Sequence, residues 1–186
     1  TGQPRKKTPV QNLEKFEGNG VSYCTTCDGF FYKGLKVGVL GYKDYAVHEA
    51  IELEAFTKDI TIFTNGMELE LSEVYAESAY RYKVNTRPVL RLDGKDFLQR
   101  IVFGDGTGEE IDGSFVAYES VDFARKLGVL TEGGAILADG FQQTNLEGLF
   151  AAGDCTGGFR QIATAVGQGA MAGRKMAEYV RRLKGG

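Results

Sequence analysis

An α/β fold is the class this chain predicts, and three observations point to it. Residues 35–40 form a short apolar run ending at Gly41, residues 44–56 carry a helical stripe, and residues 60–63 are β-branched and aromatic; that is a strand, a helix and a second strand. A second strand-to-helix passage leads from Leu149-Phe150-Ala151-Ala152-Gly153-Asp154 into a long amphipathic stretch rich in small residues. Composition agrees: 186 residues, 42% apolar and 25% charged, can build a sizeable core in one or two domains.

In chain order, the first helix takes its stripe from Ala46, Val47, Ala50, Ile51, Leu53 and Phe56, and the βαβ crossover that contains it should be right-handed. Residues 71–82 read as a second helix with Tyr75, Ala76, Ala79 and Tyr80 on one side. Residues 84–92, 97–103 and 114–118 then read as strands, with turns at Asp93-Gly94 and Asp105-Gly106, and the alternation becomes antiparallel there. After Tyr118, Gly128, Gly133, Gly134, Gly140 and Gly148 punctuate a loop-rich stretch that ends in a strand at 149–154. Residues 162–183 predict one long helix bearing Ala163, Val166, Ala170, Met171, Met176 and Val180. Its glycines at 167, 169 and 173 imply close backbone packing or a ligand. No solenoid-type repeat is present.

Several classes are excluded by what the chain lacks. A net charge of -3 with no basic stripe argues against nucleic acid as a partner, and the run Arg5-Lys6-Lys7 reads as a solvated linker. No signal-like or 18-residue apolar stretch occurs, so no membrane association is expected. Three cysteines, two of them closely spaced, do not form a secreted disulfide framework, and a reducing cytoplasm fits.

Cys24-Thr25-Thr26-Cys27 followed by Asp28-Gly29 carries the first chemistry. Two thiols this close store two electrons as one disulfide, beside a βαβ unit and an acid able to move the proton. A zinc knuckle would need two more ligands, and Cys155 and the lone His48 lack the spacing, so no metal site is expected. Cys155 reads as a buried small apolar residue, His48 as an exposed structural histidine, and the tyrosines at 42, 45, 75, 80 and 82 as packing residues.

The second chemistry lies in Asp154, Gly157-Gly158 and the helix that follows. A strand-end carboxylate can bind sugar-like hydroxyls, and a helix N-terminus can face the electron-rich edge of a flavin. The same residues also suit an ordinary strand, turn and helix.

Taken together, the Cys24 to Gly29 block and the block running from Thr144 through Asp154 to Arg160-Gln161-Ile162-Ala163 resemble the low-molecular-weight thioredoxin reductases. That resemblance implies a Rossmann-like interpolated domain, a three-layer ββα-type FAD/NAD(P)-binding fold over 1–118, and the C-terminal half of an FAD-binding domain over 119–186. It implies homodimerisation, FAD as cofactor and thioredoxin as partner. It makes Cys27 the thiol facing the flavin, Cys24 the attacker of the thioredoxin disulfide and Asp28 the proton carrier. Gly153, Asp154, Arg160, Gln161, Ile162 and Ala163 become FAD-binding residues.

Two departures qualify the resemblance. No Gly-x-Gly-x-x-Gly precedes the Cys pair, so this stretch holds half an FAD site; a preceding segment of roughly 110 residues, ending at Thr1-Gly2, or another chain is expected to supply the rest. The nucleotide fingerprint is also degenerate: in Gly41-Tyr42-Lys43-Asp44-Tyr45-Ala46, Gly41 and Ala46 survive, but Lys43 stands where backbone must approach a pyrophosphate. Beyond the second strand come Thr64, Asn65 and Gly66, with neither the Arg an NADPH site wants nor the carboxylate of an NADH site.

This pattern is similar to the ferredoxin-dependent flavin thioredoxin reductases and to divergent thioredoxin reductases without a pyridine-nucleotide site. Transfer from a ferredoxin near -400 mV to a thioredoxin near -270 mV is downhill by roughly 6 kcal/mol for two electrons. An NADPH-dependent reductase with a divergent site, a flavin dithiol oxidase and a non-catalytic redox-sensing module remain alternatives. Tyr42 is expected to occupy the vacated nucleotide cleft.

Overall fold

A computed structural model describes residues 8–118, 127–132 and 134–185. The Arg5-Lys6-Lys7 run, Gly133 and the start of the second segment at 119 lie outside them. The chain divides into two compact units, one over Lys7–Glu119 and one that takes the residues from Ser120 onward.

The first unit contains, in chain order, β1 (Val21–Ser22), α1 (Thr25–Asp28), β2 (Val37–Leu40), α2 (Asp44–Leu53), β3 (Ile60–Phe63), α3 (Glu73–Ala79), β4 (Lys83–Asn85), β5 (Val89–Asp93), β6 (Arg100–Phe103), β7 (Gly108–Glu110) and β8 (Gly113–Val116). Five strands form a parallel sheet in the order β1-β8-β2-β3-β4, and β5, β6 and β7 form a separate antiparallel sheet.

Strands β2, β3 and β8 are buried along their whole length, as expected of a parallel sheet covered on both faces. Their side chains alternate between two cores. Leu40, Phe63 and Val116 pack with Phe16, Leu92, Ile101, Phe103 and Ile111 against the antiparallel sheet. Val37, Val39, Ile62 and Phe115 pack against Ala46, Val47, Ala50 and Leu53 of α2. The result is the α/β class that the residue pattern predicts, in the three-layer ββα arrangement with a Rossmann-like parallel core that the family resemblance implies. Gly38 serves the first interface, because a Cβ there would sit 2.8 Å from the Phe63 ring.

The observed elements correct several expectations. Helix α2 ends at Leu53, so Phe56 lies in the turn beyond it. Helix α3 is shorter than 71–82, Tyr80 becomes its C-cap and is 90% exposed, and Ala76 is exposed as well; only Ala79 of that expected face is buried. The single strand expected over 84–92 is two strands in different sheets, β4 and β5, because Pro88 interrupts the ladder between them. The short strands β1 and β7 carry too few residues to show alternation.

In the second unit, β9 (Thr131–Glu132) and β10 (Ala135–Ile136) pair antiparallel, and α4 spans Ile162–Lys184. Arg181, Arg182 and Lys184 in its last turn complement the helix dipole. The strand expected at 149–154 is absent among the described residues. Phe150 makes one antiparallel bridge to Gln143, and the neighbouring backbone is satisfied by turns, Leu149 N–H donating to Leu146 and Ala151 N–H to Gln142. Among the described residues nothing lies within 4 Å of a Cβ added at Gly167, Gly169 or Gly173, so of the two expectations for these glycines, backbone packing or a ligand, the packing is not found there. Among the described residues, no helix is long and apolar enough to cross a membrane.

Candidate functional site

Strand β1 pairs in parallel with β8 and delivers the chain to the C-terminal edge of the sheet, where Cys24 is the N-cap of α1. Cys24 and Cys27 are joined in a disulfide, with Cys24 half-buried and Cys27 exposed. The turn is held by its own backbone: Cys27 N–H and Asp28 N–H donate to the Cys24 carbonyl at 3.2 and 3.1 Å, and Cys27 N–H also reaches Cys24 Sγ at 3.2 Å.

Two residues that sequence reasoning missed complete the turn. Ser22, 4% exposed, donates its hydroxyl to Asp28 Oδ2 at 2.6 Å and accepts from Cys24 N–H at 3.1 Å, tying the acid to the first sulfur-bearing residue. Glu49 of α2 accepts from Thr25 N–H at 3.0 Å and from the Thr25 hydroxyl at 2.6 Å, both on Oε2. Glu49 sits three residues after Ala46 and four before Leu53, inside the apolar stripe, and that position was the signal for it. Tyr32, four residues beyond Asp28, packs its ring edge-on to Phe115 at 5.2 Å. Burial raises its phenol above the usual range, and the Asp28 charge adds to the rise. The pair can take up two electrons and two protons as its S–S bond opens, and Asp28 is placed beside it to handle a proton.

A second locus is the point where strand order reverses. From β2 the chain moves to β3 and β4 on one side, whereas β8 lies on the other, so the carboxyl ends of β2 and β8 flank the point where a doubly wound sheet forms its ligand crevice. In doubly wound sheets ligands bind at this place. Here Tyr42 and Tyr118 meet over it, ring centroids 6.1 Å apart in a T-shaped contact. Burial raises the Tyr118 phenol, Asn65 draws it part of the way back, and Tyr42 adds to the rise. Lys43 pairs with Glu70 at 3.2 Å and lies 5.8 Å from the Tyr42 ring centroid, while Glu70 N–H binds the Tyr42 carbonyl at 2.8 Å.

The surviving fingerprint residues have structural work of their own. A Cβ on Gly41 would fall 2.4 Å from the Ala117 carbonyl oxygen, and Ala46 is fully buried. After β3, Thr64 donates its hydroxyl to the Met67 carbonyl at 2.5 Å, and Asn65, at φ 53°, accepts from Val89 N–H at 2.7 Å. The nearest arginines are engaged elsewhere. Arg81 pairs with Glu54 at 3.1 Å, and Arg87 lies 3.7 Å over Phe103 while donating to Asn85 and Thr107. His48 is half-buried between Tyr45 and Tyr75 rather than exposed.

In the second unit, Gly153 (φ 80°) leads into a 3-10 turn over Asp154–Thr156, and Gly157 and Gly158 (φ 73° and 69°) lead out of it. Gly153 N–H donates to Gln168 Oε1 at 2.7 Å, which ties the turn to α4. Arg160 and Gln161 are half-buried, Asp154, Ile162 and Ala163 are exposed, and Gln161 does not cap α4 with its side chain. An open first helical turn beside positive-φ glycines and a carboxylate fits one side of a flavin nucleotide. Cys155 is only half-buried, and its thiol meets the Ala152 carbonyl at 3.3 Å.

The family model described as pyridine nucleotide-disulphide oxidoreductase matches residues 1–169. Among curated proteins, the thioredoxin reductase of Listeria innocua is 34% identical over 99% of this chain and 62% of its own length. Among solved structures, the atypical thioredoxin reductase from Desulfovibrio vulgaris Hildenborough is 41% identical with a TM-score of 0.64, over 98% of this chain and 63% of that one. A ferredoxin-flavin thioredoxin reductase from Clostridium acetobutylicum is 29% identical with a TM-score of 0.50, over 100% of this chain and 62% of that one. The chain thus spans a little over three fifths of the length of the relatives it matches.

Proposed function

Because this chain belongs to the pyridine nucleotide-disulphide oxidoreductase family, we propose that its protein is a thioredoxin-disulfide reductase that passes electrons through FAD and the Cys24–Cys27 disulfide to thioredoxin, with ferredoxin rather than NADPH as donor. The observation that carries the reductase reading is the disulfide at the sheet edge with Asp28 held beside it by Ser22. Cys24 attacks the thioredoxin disulfide, Cys27 faces the flavin, and Asp28 gives or takes the proton. Residues 1–118 form the interpolated domain, and residues 119–186 belong to the FAD domain, with Gly153, Asp154 and the stretch from Arg160 to Ala163 on the cofactor. Bound FAD would supply conversion between a one-electron donor and a two-electron disulfide. By the same family resemblance the protein works as a homodimer, and its cysteine usage fits a reducing cytoplasm.

The donor reading rests on the crevice. Tyr42 against Tyr118, Lys43 held by Glu70, and a loop after β3 without a basic side chain all act against a pyridine nucleotide. The name of one similar structure, a ferredoxin-flavin thioredoxin reductase, points in the same direction. The test is anaerobic reduction of the full-length protein loaded with FAD. Reduced ferredoxin should bleach the flavin absorbance and NADPH should not. Rapid bleaching by stoichiometric NADPH would overturn the donor, and failure of the ferredoxin-reduced protein to reduce any thioredoxin would overturn the reductase.

A further inference from the structure

Helix α2 begins at the crevice, with Lys43 as its N-cap, and its buried face reaches the redox turn. Thr25 N–H is among the first amides of α1, which have no partner inside the helix, and Glu49 Oε2 supplies one while also accepting the Thr25 hydroxyl. Thr25 is 1% exposed and Glu49 7%. The other end of α1 is pinned to the same region, because a Cβ on Gly29 would lie 2.6 Å from the Phe56 ring just beyond α2. A carboxylate buried in an apolar stripe costs desolvation, and apolar packing alone would have served to dock two helices. Both of its hydrogen bonds instead go to the residue that follows Cys24.

The geometry assigns Glu49 as a positioning residue for the Cys24–Cys27 pair: acting through Thr25, it holds the redox turn in place and makes the reduced pair a stronger electron donor. The assignment rests on reading that pair as the site of disulfide reduction. When the Cys24–Cys27 bond opens, two electrons and two protons yield two thiols, or one proton yields a thiol and a thiolate. A negative charge in contact with Thr25, the first of the two residues between the sulfurs, opposes the thiolate, so it disfavours the reduced pair and drives electrons onward. Asp28 is the other carboxylate at this turn, and Ser22 holds it separately, so the two charges can be altered independently.

The experiment equilibrates the full-length protein, loaded with FAD, in dithiothreitol redox buffers. There dithiothreitol closes to its cyclic disulfide and gives two electrons and two protons to the Cys pair. Alkylation with a mass tag counts the thiols, with Cys155 as a constant background. Glu49→Gln keeps an acceptor oxygen for Thr25 and removes the charge, and the expected result is a disulfide about tenfold easier to reduce, about 30 mV for a two-electron couple. Thr25→Val removes only the hydroxyl donor and leaves the charge, so its equilibrium constant should move less than that of Glu49→Gln. A folded Glu49→Gln protein whose equilibrium constant stays within twofold of the parent overturns the assignment, as does a larger shift in Thr25→Val. The readout needs neither thioredoxin nor a physiological donor, so a parent protein inactive on thioredoxin would refute the functional reading and leave this comparison intact.

Discussion

Tyr42→Ala opens the crevice with the least disturbance to the sheet, because the side chain lies beyond the end of β2 and the residue is only half-buried. Two contacts are lost. The T-shaped contact with Tyr118 is worth about 0.5–1.5 kcal/mol beyond area burial, and the Lys43 ammonium 5.8 Å from the ring centroid about 0.5–1 kcal/mol at an exposed site. Together they come to about 1–2.5 kcal/mol, a sizeable part of the roughly 5–15 kcal/mol that holds a domain folded. Urea unfolding of the full-length protein should register that loss.

If a nucleotide must break the same contacts to enter, removing them should tighten NADPH binding about 5- to 70-fold. Binding should stay weak in absolute terms, because the loop after β3 offers Thr64, Asn65 and Gly66, while Arg81 and Arg87 are committed to Glu54 and Phe103. Fluorescence or calorimetric titration with NADPH measures the affinity, and anaerobic bleaching reports productive binding. A Tyr42→Ala protein as stable as its parent and no better at binding NADPH would refute the idea that these rings close the crevice.

Three further outcomes follow from the geometry. Ser22→Ala deprives Asp28 of a 2.6 Å hydrogen bond at a buried position; a bond to a charged group contributes about 1.5 kcal/mol or more, so steady-state thioredoxin reduction should fall about tenfold, and a loss under twofold would remove Ser22 from the proton path. Cys24→Ser in the FAD-loaded protein should give a long-wavelength absorption band from the remaining Cys27 thiolate, whereas a band in Cys27→Ser instead would exchange the two roles. Burial pushes the Glu109 carboxyl up, but hydrogen bonds from Lys83 and Lys36 hold it below its ordinary value. Its stabilisation is therefore present above about pH 4.5 and lost as the pH falls through the lowered folded value. Lys83→Met should be less stable than the parent by up to about 1 kcal/mol at pH 7, with the gap in urea midpoints shrinking at acid pH; a gap independent of pH would refute the pairing.

Where composition or periodicity is clear, sequence and structure agree: the β-branched and aromatic Ile60–Phe63 is a strand, and the amphipathic stretch Ile162–Lys184 is one helix. Short or interrupted elements were harder to read. Strand β1 has two residues and β7 has three, and within 84–92 the polar stretch Asn85-Thr86-Arg87 before Pro88 is where the chain leaves one sheet for the other. The stretch 149–154 has strand composition, yet its backbone is bonded in turns. Strand propensity describes a surface that fits a sheet and does not supply the partner.

The linear order of residues was enough to determine the α/β class, the disulfide-forming spacing of Cys24 and Cys27, the acid next to them and the erosion of the nucleotide fingerprint, because each is a pattern over a few neighbouring positions. Only the tertiary structure decided what those residues meet. Placing β8 between β1 and β2 brings Tyr118 to Tyr42 and presses Ala117 against Gly41, and the packing of α2 beside the sheet edge carries Glu49 to Thr25. Contacts made by strand order and helix docking join residues far apart in the chain, and no local period records them.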